Sequence, residues 1–142
     1  MFKALFIIVG IAAGWFCCTA SMALYSFMKL DRYAPAQVNT WKVIDYSPSK
    51  VALEAFYSFS VEGKEWNGQM IFSKPYYLNR PSAEQALKQK SQEVWGAWYN
   101  HKNPNTSSLE KIFPYKKCFN ALIVVGLLGY FWILKYRNSL MG

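Results

Sequence analysis

Two long apolar stretches without a charged residue constrain this 142-residue sequence more than any other feature. Residues 4–28 and 118–134 contain no Asp, Glu, Lys, Arg or His. A charge at the centre of a bilayer costs roughly 3 kcal/mol or more, so such runs are typical of membrane spans. At about 1.5 Å per residue they are about 37 Å and 26 Å long, against about 30 Å of hydrocarbon. We predict two transmembrane α-helices, the second completed by its aromatic flanks.

The polar segment between the two runs, residues 29–117, is predicted to form one small extramembrane domain. It holds all eight acidic residues and thirteen of the sixteen Lys and Arg. Its basic residues are scattered, and several flank the spans, where each can gain about 1 kcal/mol from anionic headgroups. This distribution favours the lipid bilayer as a partner and argues against nucleic acid. The predicted fold class is a membrane protein in which two transmembrane helices flank a small β-rich α+β domain.

Alternating apolar residues and a glycine turn predict a hairpin within this domain. The stretch 37–46 alternates loosely and predicts a first strand. A stronger alternation over about residues 51–72 surrounds a glycine turn at residues 62–64, which is the pattern of two antiparallel strands.

One helix and a last short strand are predicted after the hairpin. Ser82 is a suitable N-cap, and Gln85 three residues later completes a capping box, which predicts a helix over about residues 82–95. A glycine then ends the helix, and residues 97–100 are expected to be a strand. The predicted order of the domain is therefore β, α, β.

The two spans carry small residues at helical spacing. Gly10 and Gly14 match the small-xxx-small pattern that lets helix backbones approach closely, and Gly126 and Gly129 offer small positions in the second span. These four glycines are the candidate helix-packing residues. Two arrangements stay open: the spans pack against each other as a hairpin, or the glycine face of the first span forms a homodimer.

The middle segment contains several short motifs whose order and spacing are informative. They are Trp41-x-Val43, Tyr57-x-Phe59-x-Val61-x-Gly63, Trp66-x-Gly68, the run Trp98-Tyr99-Asn100-His101-Lys102-Asn103-Pro104, and Ser108-Leu109-Glu110. With the placement of both spans, they resemble the DUF3592 family of two-span membrane proteins over about residues 37–112. That family has no assigned reaction, so the resemblance implies an architecture and no catalytic residues.

Chemistry-bearing patterns are sparse in this sequence. His101 is the only histidine, and the three cysteines have no ligand cluster around them, so neither a metal nor a cofactor is predicted. The HExxH, GxSxG, P-loop and GxGxxG motifs are absent. A non-catalytic role is favoured. The alternative is a membrane-bound enzyme or transport component acting on lipid or envelope material, which requires carboxylates that converge with His101 or a lysine in a pocket.

An aromatic and basic segment after the hairpin is the best candidate for a binding role. Most aromatic residues of the domain are expected to pack in its core or at the membrane interface. The segment 74–81 combines Lys74, Tyr76, Tyr77 and Arg80 between two prolines and is predicted to be an interaction loop. The functional prediction is an accessory or interaction module that contacts another membrane protein or a second copy of itself.

The short basic N-terminus followed at once by an apolar run resembles an uncleaved signal anchor. It predicts that both termini are cytoplasmic and that the domain is extracytoplasmic, in a cell or inner membrane with two spans.

Overall fold

The computed structural model describes residues 2–140, which divide into two compact units. One unit holds the two terminal helices, and the other is the β domain, Lys29–Lys111. In chain order the elements are α1 (Phe2–Lys29), β1 (Arg32–Ser47), β2 (Lys50–Val61), β3 (Lys64–Tyr77), α2 (Arg80–Lys90), β4 (Trp95–Tyr99), β5 (Ser107–Ser108) and α3 (Tyr115–Leu140). The structure thus has two long apolar helices around a β-rich domain, as the sequence predicts.

Within residues 2–140, α1 and α3 are the helices long and apolar enough to cross a membrane. Helix α3 begins at Tyr115 and ends at Leu140, so the predicted bounds 118–134 mark its charge-free centre and are too short for the helix. The lysines and the arginine on both sides are good helix formers, and charge opposes burial in hydrocarbon rather than helix formation.

The two long helices run antiparallel within their unit. Near the start of α1, the Phe6 ring lies 5.7 Å from the Lys135 ammonium close to the end of α3. At the other end, the rings of Phe27 and Phe113 meet edge to face with centroids 5.3 Å apart. This is the arrangement expected of a hairpin whose connection is a folded domain.

A five-stranded antiparallel sheet forms the β domain, in the order β3-β2-β1-β4-β5. Its central strand, β1, pairs with β2 along most of its length and with β4 over its first five residues. Glu62 and Gly63 connect β2 to β3 with φ values of 51° and 78°. Positive φ at both positions is the geometry of a tight two-residue hairpin turn, which glycine adopts without steric cost.

A bulge explains why the first predicted strand alternates only loosely. The pairing of β1 with β2 steps from Val38 opposite Tyr57 to Thr40 opposite Phe56, so Asn39 is an extra residue. Before the bulge the even-numbered residues of β1 face the core, and after it the odd-numbered residues do. The period-two pattern of the sequence therefore breaks in the middle of a continuous strand.

Helix α2 lies against the core face of the sheet, where Ala83 has no exposed surface. The predicted bounds 82–95 and the predicted cap Ser82 are wrong, because Asn79 is the N-cap and accepts a hydrogen bond from the Ser82 amide at 2.9 Å. Pro81 fits in the first turn, since it lacks the amide proton that a helix start leaves unpaired. The helix ends at Lys90, whose carbonyl accepts the indole N–H of Trp95 at 2.9 Å. Strand β4 accordingly begins at Trp95 and ends at Tyr99, whereas the predicted bounds are 97–100, and β5 follows it.

Aromatic side chains fill the core of the domain. Phe72, which is 1% exposed, stacks on Trp41 with centroids 5.7 Å apart and meets Trp95 edge to face at 5.6 Å. Tyr57 is also 1% exposed, and its hydroxyl shares a hydrogen bond of 2.9 Å with the Ser107 hydroxyl. Burial raises the pKa of Tyr57.

Candidate functional site

The β domain has two distinct ends, defined by its longest strand. The chain enters the domain beside the point where it leaves, because the Asp31 amide donates to the Tyr99 carbonyl at 3.1 Å and Tyr99 pairs with Ser107. We call this the tethered end. Strand β1 contains 16 residues, roughly 50 Å of extended chain. Its other terminus, at Ser47, defines the far end.

The predicted interaction loop lies at the far end but is not a loop. Lys74, Tyr76 and Tyr77 belong to β3, and Arg80 is the first residue of α2. The prediction of a loop is therefore wrong. Pairing of β3 with β2 is interrupted after Phe72 and resumes at Tyr77, so that four residues of β3 stand opposite one residue of β2. A bulge of this size breaks the alternation that marks a strand in the sequence.

Four side chains from different elements form a far-end cluster, which consists of Tyr46, Lys50, Tyr76 and Arg80. The rings of Tyr46 and Tyr76 lie 5.1 Å apart, and the Lys50 ammonium lies 5.0 Å from the Tyr76 centroid. Arg80 donates to the Asp45 carboxylate at 2.8 Å. A hydrogen bond with Tyr46 raises the pKa of Tyr76. Tyr46, Tyr76 and Lys50 are thus in contact, and Arg80 belongs to the cluster through Asp45, the residue before Tyr46 in β1.

The structure brings together only part of the predicted set. Tyr76 and Arg80 belong to the far-end cluster, whereas Tyr77 packs against the core and Lys74 is exposed beside it. Sequence reasoning missed Tyr46 and Lys50. The signal was present, because the break at residues 47–49 is the two-residue turn that pairs Ser47 with Lys50 and makes the flanking residues neighbours.

At the tethered end, a carboxylate holds the only histidine of the sequence. The His101 amide donates to one Asp31 oxygen at 3.0 Å, and Nδ1 of the His101 ring pairs with the other oxygen. The hydrogen bond from the His101 amide lowers the pKa of Asp31. The two residues are 70 positions apart in sequence, so no local pattern could have paired them.

Next to this pair the sheet opens into a groove with a volume of about 780 Å³. Pairing of β1 with β2 stops after Ala36 opposite Phe59, and the first residues of β1 pair only with β4. The gap that results is the tethered-end groove, and its lining includes Arg32, Tyr33, Lys64, Trp66, Tyr99 and His101.

Lysines lie over aromatic rings in many places on this domain. Lysine ammonium groups lie 4.4–5.2 Å from a ring centroid in these pairs: Lys42 on Phe56, Lys50 on Tyr76, Lys64 on Trp66, Lys90 on Phe72 and Trp95, and Lys111 on Trp98. Significant cation–π pairs occur about once per 70–80 residues in proteins. Part of the basic charge of the domain therefore lies on aromatic surface.

The candidate packing glycines face open space. A Cβ atom built on Gly10, Gly14, Gly126 or Gly129 meets no described atom within 4 Å beyond its chain neighbours and the nearby backbone of its own helix. The buried small residues of the helices are alanines instead: Ala13, Ala20 and Ala121. The glycines do not form a contact between α1 and α3 of one chain, and their role in a homodimer stays a prediction.

The part of the chain that the structure describes contains no cluster of metal-binding side chains. Within residues 2–140, no three His, Cys, Asp or Glu side chains come close enough to hold an ion. The cysteines are free thiols on α1 and α3. The arrangement supplies aromatic and cationic groups for binding, and the Asp31–His101 pair adds an acid–base pair at the groove.

No family model, no curated protein and no solved structure matches this chain. The resemblance to DUF3592 therefore stays a prediction based on short motifs, and any function must be proposed from the geometry.

Proposed function

We propose that this chain is an integral membrane protein of the cell or inner membrane, which spans the bilayer twice and carries a non-catalytic interaction domain. Helices α1 and α3 are of sufficient length and apolar composition for the spans, and the β domain connects them. The points at which the chain enters and leaves the β domain lie side by side at the tethered end, as insertion of the domain between two antiparallel spans requires. In the proposed orientation both termini are cytoplasmic and the domain is extracytoplasmic.

The far-end cluster is the observation that carries the interaction role. Tyr46 is 54% exposed, Lys50 is exposed beside the Tyr76 ring, and Arg80 is exposed beside Asp45. Tyrosine and arginine are enriched among residues that dominate binding energies, and side chains already held by neighbours lose little entropy when a partner binds. The chemistry fits a partner surface with acidic and apolar groups, on another membrane protein or on a second copy of this chain.

In-cell cross-linking followed by purification from native membranes tests this role. The Tyr46→Ala/Lys50→Gln double variant is expected to lose the cross-linked partner. Lys42→Gln is the matched control, because it removes a lysine over a ring on the same sheet away from the cluster. Retention of the partner by the double variant, or its loss in the control as well, contradicts the assignment to this surface.

Membrane insertion and orientation have a separate test. The protein should resist extraction by alkaline carbonate. With the native cysteines replaced, a cysteine at Val94, which is 99% exposed, should react with an impermeant maleimide added outside intact cells. Carbonate extraction contradicts the spans, and labelling only after permeabilisation contradicts the orientation.

The Asp31–His101 pair favours a second candidate, a membrane-bound enzyme acting on lipid or envelope material. Asp31 orients the ring of His101 in a groove that also contains Arg32 and Lys64, which is the convergence of polar groups that an enzyme needs. The test is to incubate the full-length protein with labelled phospholipid and to measure conversion of the lipid. Turnover that disappears in His101→Ala supports an enzyme and contradicts the non-catalytic role, whereas a lack of turnover by the native protein contradicts the enzyme.

A further inference from the structure

We propose that the tethered-end groove binds the phosphate-bearing headgroup of an anionic phospholipid from the surrounding bilayer. This inference rests on the proposed membrane insertion and adds a ligand site distinct from the far-end cluster. Its volume of about 780 Å³ lies within the range of about 300–1,000 Å³ that small-molecule sites occupy.

Charge in the groove is suited to a single negative group. Arg32 on β1 and Lys64 at the start of β3 contribute two cations from opposite sides of the gap. Guanidinium binds phosphate oxygens in a planar two-point fashion, and ammonium adds a compact charge. The carboxylate of Asp31, next to the groove, is already hydrogen-bonded to the amide and ring of His101.

Glu62 distinguishes among headgroups. It is the carboxylate of the lining, and against Arg32 and Lys64 it leaves one positive charge in excess among these three side chains. A lipid with one negative charge and headgroup hydroxyls, such as phosphatidylglycerol, matches both the cations and the acceptor oxygens of Glu62. A zwitterionic choline headgroup leaves the net charge unmatched and gives Glu62 no hydrogen-bond donor.

Aromatic walls suit the glycerol and upper acyl region of a lipid. Trp66, Tyr99 and Tyr33 line the groove, with Val61 and Ala34 as apolar surface between them. Tryptophan and tyrosine are the residues that favour the interface between headgroups and hydrocarbon, because they combine an apolar ring with a polar atom.

Chain connectivity indicates the bilayer as the source of the ligand. Helix α1 ends at Lys29, and Arg32 lies three residues later. Three residues of extended chain span at most about 11 Å, so Arg32 stays within reach of the headgroup layer next to the span. A soluble phosphate compound has no such advantage of local concentration.

Native mass spectrometry of the full-length protein tests the proposal. The protein is reconstituted in nanodiscs containing equal amounts of phosphatidylglycerol and phosphatidylcholine, and lipids retained after release are counted. We expect one retained phosphatidylglycerol, enriched at least fivefold over phosphatidylcholine, and loss of this enrichment in Arg32→Gln and Lys64→Gln. Lys88→Gln on α2 is the matched control for a lost surface charge and should keep the enrichment.

Three results overturn the proposal: equal retention of both lipids, unchanged enrichment in both groove variants, or loss of enrichment in Lys88→Gln as well. Competition separates the sources of phosphate. Glycerol 3-phosphate at millimolar concentration should leave the retained lipid in place, and its stoichiometric displacement of the lipid instead assigns the site to a soluble ligand. Circular dichroism of each variant, compared with the native protein, verifies that the domain is folded.

Failure of the underlying function is distinguishable from failure of this inference. A protein that does not enter nanodiscs and is extracted by carbonate contradicts membrane insertion. A protein that inserts and retains no phosphatidylglycerol contradicts the lipid site alone.

Discussion

The two ends of the β domain are built from the same kinds of residue but differ in what they can bind. At the far end, Tyr46, Tyr76 and Lys50 contact one another, and Arg80 bonds Asp45, the residue before Tyr46 in β1. At the tethered end, Arg32 and Lys64 line an open groove. Strand pairing causes the difference. β1 and β2 are paired from Ala36 to Ser47 at the far end, whereas the residues of β1 from Arg32 to Pro35 are not paired with β2. Aromatic and basic composition alone therefore does not distinguish a docking surface from a cavity.

The core beneath these ends should determine stability, and its loss should affect both ends together. Phe72→Ala removes a ring that contacts Trp41 and Trp95 and is expected to lower the free energy of unfolding by about 3–5 kcal/mol. Urea unfolding of the full-length protein in nanodiscs, followed by tryptophan fluorescence, measures the change. Lys88→Gln on the exposed face of α2 is the control. A loss below about 1 kcal/mol would contradict the tight packing of Phe72 in the core.

Two glycines test how tightly the domain is packed at different places. Each lies against a tyrosine ring, and one of these rings is buried whereas the other is exposed. A Cβ at Gly68 would collide with the ring of Tyr57, which is 1% exposed and cannot move aside. Gly68→Ala is expected to cost about 1–3 kcal/mol of unfolding free energy. Gly96→Ala faces Tyr33, which is 58% exposed, and should cost less because that ring can rotate into solvent. Thermal unfolding of both variants measures which one loses more stability. A larger loss for Gly96→Ala than for Gly68→Ala contradicts this explanation.

One hydrogen bond joins β2 to the segment from which the chain leaves the domain. Tyr57→Phe removes the hydroxyl that bonds Ser107 and should lower the free energy of unfolding by about 1 kcal/mol. Ser107→Ala should cost at least as much, since it leaves the buried Tyr57 hydroxyl without this partner. Hydrogen exchange of the Ser107 and Ser108 amides should accelerate in both variants, and unchanged exchange would show that this bond does not hold β5.

The smallest expected effect depends on pH and is confined to the tethered end. The pKa of Asp31 is lowered from its ordinary value of 3.8, so its contribution to stability is present above that value and is lost as the pH falls through the lower folded-state pKa. The NMR shift of the His101 amide, which donates to Asp31, should titrate with a midpoint below 3.8. The titration should vanish in Asp31→Asn and persist in Glu65→Gln. A midpoint at or above 3.8 would mean that the pair does not form.

Local patterns in the sequence identified much of the fold. Both apolar helices could be located from the charge-free runs, because the cost of placing a charge in hydrocarbon does not depend on the fold of the rest of the chain. The turn at Glu62 and Gly63 was recognisable because its backbone geometry favours glycine regardless of tertiary context. Helix α2 was found but with wrong bounds, since both Asn79 and Ser82 are good caps and only the packed structure selects between them.

The candidate sites needed the tertiary structure. The bulge at Asn39 and the four extra residues before Tyr77 change which side chains face out, and bulges depend on the partner strand rather than on the strand itself. Asp31 and His101 meet across 70 positions, and the groove exists because one strand changes partners. The sequence by itself therefore determined the helices and the β-rich connection, through short-range and solvation effects. Strand register, a long-range property, decided which aromatic and basic residues became a surface and which became a groove.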